Sequence, residues 1–238
     1  MELIIDIGNT RTKVALFAGA EMREYYSIEN DGEIEIENLK KHEIKQGIIS
    51  SVSGKEQFWI KSFPKTAWIM LSAETKVPFN NKYDTPKTLG LDRIALVAAA
   101  ATKYPDNNVL VIDAGTCVTY DVVTAEGNYL GGAITPGLQM RLRAMHEFTA
   151  KLPLVAVNTD VFLVGNSTEK SLQSGALNGL AAEIDGMIAS YSVRFENLII
   201  VLTGGDTKVL APLVKSGIFA PRKFLLEGLH AILAFNTP

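Results

Sequence analysis

Three short turns in this sequence combine carboxylates, glycines and hydroxyls in ways that suit a polyphosphate. The first closes an apolar strand and reads Asp6-Ile7-Gly8-Asn9-Thr10-Arg11-Thr12-Lys13. Gly8 leaves no side chain between the main chain and a ligand. The turn N–H groups, the hydroxyls of Thr10 and Thr12 and the ammonium of Lys13 could all face an anion. Asp6, at the strand end, suits a hydrated magnesium ion, which commonly takes one or two carboxylates plus phosphate oxygens. Taken alone, the stretch is equally an ordinary hairpin with a polar tip.

The second turn makes that bland alternative less economical. Val109 to Ile112 is again an apolar run ending in a carboxylate, Asp113, followed by Ala114-Gly115-Thr116 and a second strand from Cys117. Asp6-x-Gly8-x-Thr10 thus becomes Asp113-x-Gly115-Thr116 about halfway along the chain. Such an internal repeat predicts two related domains, residues 1–107 and 108–238, with the last helix possible as a return onto the first domain. Two hairpin turns from opposite sides would clamp one polyphosphate. The third turn, Thr203-Gly204-Gly205-Asp206, ends another buried strand.

A different chemistry is offered by Gly90-Leu91-Asp92-Arg93, which follows a loop over residues 76–90 rich in Pro, Asn, Lys and Thr and containing Tyr83. Loops of this length inside a compact domain are usually functional or disordered. Asp92 opens a strongly apolar helix, where a carboxylate also suits the helix dipole. In isolation an Asp-Arg pair there is a helix N-terminal charge with a solvated neighbour.

The elements that must position these residues alternate strand and helix, an α/β pattern. Strands are predicted at Glu2–Asp6, Lys13–Phe17, Glu24–Ile28, Gln46–Ser51 and a buried Thr66–Leu71, with helices at Glu33–Lys41 and Lys55–Lys61. In the second half, Tyr129–Pro136 reads as a strand with a Gly-rich turn, followed by a helix at Leu138–Phe148 and an irregular stretch from Thr149 to Val164. Asn166 and Glu169 are spaced like an N-cap and its box partner at the start of a long helix reaching about Phe195. Leu198–Leu202 is a strand, and a closing helix spans Lys223–Phe235.

Composition narrows the class. With 47% hydrophobic and 21% charged residues the 238-residue chain reads as globular, and its net charge of -3 argues against broad electrostatic binding of nucleic acid. The single cysteine, Cys117, cannot form an intramolecular disulfide, which suits a reducing cytosol. The longest apolar run, Ile94 to Ala101, is far short of the roughly 20 residues that span a bilayer. No signal peptide and no membrane are expected, and the location expected is cytoplasmic. His42, His146 and His230 show no metal-ligand spacing. Cys117 reads as a small buried side chain, Trp59 and Trp68 as packing residues, and Glu29–Glu37 as a solvated face.

The DIGNT, DAGT and LTGGD turns together resemble the superfamily of acetate and sugar kinases, the heat-shock ATPase domain and actin. The finer pattern resembles type III pantothenate kinases over nearly the whole chain: DIGNTRTK, SSVS, Tyr83 before a proline, LGLDR, DAGT, GGAITPGL, GNST and LTGGD, in that order. The resemblance implies two ribonuclease H-like domains of the actin/sugar-kinase type, each a mixed sheet with helices. It implies phosphorylation of pantothenate by ATP, the first step toward coenzyme A. On matching positions it assigns ATP phosphates to Asp6, Ile7, Gly8, Asn9, Thr10, Arg11, Thr12 and Lys13 and, from the other domain, Thr116. Magnesium would be held by Asp6 through water, and a monovalent cation, potassium or ammonium, by Asp113. Pantothenate would meet Tyr83, Gly90, Leu91, Asp92, Arg93 and Thr168, with Asp92 as general base and Thr168 donated across a homodimer interface. The GNST segment carries Asn166 where many relatives have a lysine. The competing reading is a nucleotide-binding transcriptional accessory factor of the same family with little kinase activity. An actin-like polymerising ATPase is disfavoured by the small size and the LGLDR segment.

Overall fold

The computed structural model describes residues 1–9, 11–30, 36–52, 54–160, 162–215, 218–219 and 223–237. The chain divides into two compact units, Met1–Lys103 with Lys223–Pro238, and Tyr104–Arg222.

In the first unit, strands β1 (Glu2–Ile7) and β2 (Arg11–Ala18) form the hairpin, and β3 (Glu21–Glu29) extends it antiparallel. Helix α1 (Ile36–Lys40) leads to β4 (Gln46–Ser51), which lies parallel to β1; α2 (Glu56–Ser62) leads to β5 (Ala67–Met70), parallel to β4. The sheet order is β3-β2-β1-β4-β5. The alternation along β1 sorts its side chains: Leu3, Ile5 and Ile7 join Val14, Leu16, Ile49, Trp59 and Phe63 in one apolar core. Ile4 and Asp6 therefore face the other way. A two-residue strand, β6 (Asn80–Asn81), and a 3-10 turn at Pro86–Thr88 precede α3 (Leu91–Lys103). Helix α7 (Phe224–Phe235), at the end of the chain, packs on α3 and on β1, β2 and β4. It buries Phe224, Leu226, Leu229 and Ile232 completely, each such side chain stabilising by about 1.5–3 kcal/mol relative to exposure. The two helices approach so closely that a Cβ on Gly228 would lie 1.8 Å from the Ala95 carbonyl oxygen.

The second unit repeats the plan. β7 (Val109–Ala114) and β8 (Cys117–Val123) form a hairpin, β9 (Asn128–Pro136) extends it antiparallel, and β10 (Ile199–Thr203) lies parallel to β7 with β11 (Ile218–Phe219) beyond. Its strands run β9-β8-β7-β10-β11, the order of the first sheet. Helices α4 (Leu138–Glu147) and α5 (Thr168–Arg194) cover the face formed by Leu110, Ile112, Val118, Tyr120 and Val122, and α6 (Thr207–Leu210) follows β10.

Several sequence expectations are corrected. The strand expected to be buried at Thr66–Leu71 is a sheet edge, with Ala67 exposed and Met70 39% exposed. The Gly131-Gly132 pair lies within β9, not in a turn. Gly131, at φ +95°, takes up a register shift between Val122 and Val123, and a Cβ on Gly132 would meet the Tyr120 carbonyl oxygen at 1.6 Å. The N-cap of α5 is Ser167, whose Oγ accepts the Lys170 N–H; Asn166 precedes it, and the residue opposite the cap is Lys170, so there is no capping box. The helix expected over Glu33–Lys41 is described only from Ile36. Cys117 is half-buried.

Candidate active site

Asp6, next to last in β1, lies on the face opposite the apolar core, directly across from Lys13 on β2 and Ser50 on β4. Lys13 Nζ lies 3.3 Å from Asp6 Oδ2. Burial pushes the Asp6 carboxyl above its ordinary range; Lys13 and a hydrogen bond with Ser50 oppose this, and the charge of Asp92 adds to it. Asp6 and Asp92, 86 positions apart in sequence, are thus electrostatic neighbours within one unit. Asp6 thus has Lys13 as its partner and a second acid near it, an arrangement that a further cation would relieve. Among the described residues no cluster of three or more His, Cys, Asp or Glu is placed to hold a metal. A divalent ion beside Asp6 would complete its shell with water and phosphate oxygens, as magnesium commonly does.

The turn itself is tied down by a residue that the sequence reading passed over. Asn30 donates through Nδ2 to the carbonyls of Gly8, at 2.8 Å, and Asn9, at 3.0 Å, and its Oδ1 accepts from the Thr12 hydroxyl at 2.9 Å. Lys55 Nζ donates to the Asn30 carbonyl. Thr12 is buried and its hydroxyl committed to Asn30, and Ile7 points into the core, so Ile7 offers a ligand only its main chain. Arg11 is laid along β3, donating to Ser27 and pairing with Glu29 at 3.2 Å. Asn9 is exposed. Thr10 lies outside the described residues.

At the start of α3, Asp92 is exposed and its Oδ1 accepts the Arg93 N–H at 2.8 Å. The carboxylate folds over Gly90, where a Cβ would meet Oδ1 at 2.5 Å; any side chain at position 90 would displace it. Leu91 is half-buried. Arg93 is 5% exposed, and its guanidinium sits 5.4 Å from the centre of the Tyr83 ring, a cation–π distance. The first unit therefore brings together Asp6, Lys13 and Asp92, and separately Tyr83 with Arg93.

In the second unit the β7–β8 turn presents an exposed Thr116. Glycines pack against its main chain: a Cβ on Gly137 would stand 2.0 Å from the Gly115 carbonyl oxygen, and one on Gly204 2.2 Å from that of Ala114 and 2.5 Å from Asp113 Oδ1. Gly204 has φ +103°, and Asp206 N–H donates to the Ala114 carbonyl at 2.9 Å. The third turn thus lies against the second, beside half-buried Asp113. Across the ladder from Asp113 is Thr119, 8% exposed, whose Oγ1 is buried with no hydrogen-bond partner among the described residues. A carboxylate beside an orphaned oxygen is a donor set that fits a hard cation. Thr168, exposed, opens α5.

Comparison with known proteins identifies the family. The sequence model of the type III pantothenate kinase family matches residues 2–190. A type III pantothenate kinase of Christiangramia forsetii is 47% identical over 240 residues, covering 99% of each chain. Among solved structures, a Baf family transcriptional activator from Campylobacter jejuni superposes with a TM-score of 0.64 at 22% identity, covering 98% of each chain. A glucokinase from an Antarctic psychrotroph gives 0.51 at 12% identity over 99% of each chain. The last two speak to the fold alone, which is that of the actin/sugar-kinase class. The family match and the relative identical at nearly half of all positions go further: this chain belongs to the type III pantothenate kinases.

Proposed function

We infer that the chain transfers the γ-phosphoryl group of ATP to the 4′-hydroxyl of pantothenate, giving 4′-phosphopantothenate and ADP. The observation that carries this reading is Asp92, exposed at the N-terminus of α3 yet close enough to the buried Asp6–Lys13 pair to raise the Asp6 pKa. A base beside a phosphate-type turn is what alcohol phosphorylation requires. As the hydroxyl oxygen bonds to phosphorus, its proton passes to the Asp92 carboxylate and the bond to ADP breaks. The transition state is loose, so positioning and charge neutralisation do most of the work. The turn from Asp6 to Lys13 binds the phosphates, and Thr116 is a further phosphate contact. Asp6 would hold magnesium, through water, and the ion would supply positive charge to the phosphates. Asp113, with Thr119 as a second donor, would hold potassium or ammonium. Gly90, Leu91 and Asp92 line the pantothenate site, and Arg93, steadied against Tyr83, faces its carboxylate.

Thr168 serves the pantothenate site of a second copy in a homodimer. Phe162, Leu163 and Val164 are 75–81% exposed and, with Asn166 and Lys170, line a cavity of about 830 Å³ just before α5. An apolar run this exposed beside Thr168 supports burial against another copy. No described helix is long and apolar enough to cross a membrane, and a cytoplasmic site of action goes with this reading. The accessory-factor reading is not favoured, because a protein that only binds nucleotide has no use for a base at position 92.

The test is ADP release by the purified protein with ATP and magnesium, with and without pantothenate, in potassium and in sodium. Release that needs both pantothenate and potassium is expected. Nucleotide binding without pantothenate-dependent release would overturn the reading, and equal rates in the two salts would remove the cation from Asp113.

A further inference from the structure

A polar network beneath the second turn is not accounted for by the catalytic assignments. Glu183, midway along α5, accepts hydrogen bonds at Oε1 from Thr135 Oγ1 at 2.7 Å and from the Tyr120 hydroxyl at 3.3 Å. Its Oε2 is bonded by Arg141 Nη2 of α4. Arg141 also donates through Nε to the Pro136 carbonyl at 2.9 Å. Both side chains are mostly buried, 21% and 28% exposed. Burial favours the neutral acid, but the Arg141 and Thr135 hydrogen bonds outweigh it, and Glu183 stays below its ordinary range. Burial, and after it the same carboxylate, raises the Tyr120 phenol, which remains a neutral donor.

The network grips one dipeptide, Thr135-Pro136, at the end of β9. Pro136 faces Cys117 in the ladder and has no N–H to donate, so it offers the network only its carbonyl, which Arg141 takes. The next residue, Gly137, donates its N–H to the Thr116 carbonyl at 3.1 Å and lies under Gly115 and Thr116 with no room for a side chain. A shift of residues 135–137 would therefore be passed directly to the Thr116 turn. Arginine suits the post because its planar fork can hold a carboxylate and a carbonyl at once, which an ammonium cannot do in fixed geometry.

We propose that Arg141 and Glu183 are positioning residues for phosphate binding, setting the height of the Thr116 turn through Thr135-Pro136-Gly137. The inference rests on Thr116 being a phosphate contact. The experiment is titration of the full-length protein with MgATP in a calorimeter, without pantothenate, on wild type and on Glu183→Gln, Arg141→Met, Arg141→Lys and Thr116→Val, together with steady-state kinetics and melting curves. ATP affinity should fall roughly tenfold, the equivalent of one well-placed interaction, in Glu183→Gln and Arg141→Met. Arg141→Lys should fall between them and wild type, and the KM for pantothenate should move less than about twofold, well under that tenfold scale. Weakened binding in Thr116→Val with unchanged binding in Glu183→Gln overturns the positioning role alone. Unchanged binding in both overturns the Thr116 assignment and the inference with it. Loss of affinity for both substrates in step with a fall in melting temperature would reduce the pair to a structural tie and also overturn the proposal.

Discussion

The two β-hairpin turns share a strand plan and an Asp–Gly–Thr order, yet they are held in opposite ways. In the first unit the clamp is made of side chains: Asn30 ties Gly8 and Asn9, Thr12 ties Asn30, and Lys13 reaches Asp6. A Cβ on Gly8 would lie 3.2 Å from the Arg11 carbonyl oxygen, a contact that a small adjustment relieves. In the second unit the clamp is main chain on main chain, with Gly137 and Gly204 closing on Gly115 and Ala114 to about 2 Å from a virtual Cβ. A side-chain clamp can relax by rotamer changes; a stack of backbones in a close-packed interior cannot. At the first turn Asp6 is paired with Lys13 and feels the charge of Asp92; at the second, Asp113 stands opposite Thr119 in the ladder. The repeat thus supplies one turn held by side chains and one held by packed backbone.

The largest effect is expected at the proposed base, Asp92, whose charge reaches Asp6 at the first turn. Asp92→Asn should lower kcat by about 10²–10⁴-fold, the usual worth of general base catalysis, while MgATP still binds. Steady-state kinetics beside calorimetry checks this, and near-normal turnover would take Asp92 out of the chemistry. A smaller effect sharpens the contrast between the two turns. Gly137→Ala should destabilise by about 1–3 kcal/mol, as overpacking does, and weaken ATP binding with it. Gly8→Ala should cost clearly less stability. Chemical denaturation of the two variants side by side is the measurement; equal losses would contradict the difference in clamping.

What the sequence made legible is what local pattern can encode. Alternating apolar residues, the Asp–Gly–Thr recurrence and the LGLDR helix start led to the hairpins, the repeated sheet and α3. Relations over long separations were hidden. Asn30 sits 22 positions from Gly8, and nothing about a lone asparagine after a strand marks it as a turn clamp. Glu183 and Arg141 are 42 positions apart on two helices whose patterns explain them equally well as solvent-facing charges. The Gly131-Gly132 pair reads as a turn because glycine usually punctuates; only the register shift against β8 shows that it is a bulge and a close backbone approach. Ser167 beat Asn166 as N-cap because both residues cap well, and sequence offers no means to choose between neighbours. The LTGGD turn carried a usable signal: Gly204 at positive φ, packed on Ala114 and Asp113, is a constraint that two adjacent glycines after a strand already hinted at.

The charge at the first turn has a consequence for stability. Burial and Asp92 raise the Asp6 pKa above its ordinary 3.8 in the fold. The folded state therefore holds its proton more tightly than the unfolded chain does. Below the unfolded value both states are protonated and Asp6 costs nothing; as pH rises through the folded value that advantage is lost, and near neutrality the fold carries a buried, crowded carboxylate. Asp6→Asn removes the charge but keeps the shape, and Lys13, a third exposed, can turn to water. The variant should melt at or a few degrees above wild type at pH 8, about 2–4 °C per kcal/mol for a chain of this size. The gap should narrow as the pH is lowered toward the unfolded pKa. Phosphoryl transfer should be lost in the same protein. A variant less stable than wild type at pH 8 would mean that the Lys13 and Ser50 bonds outweigh the burial of Asp6, and that the site is held for the fold and not against it.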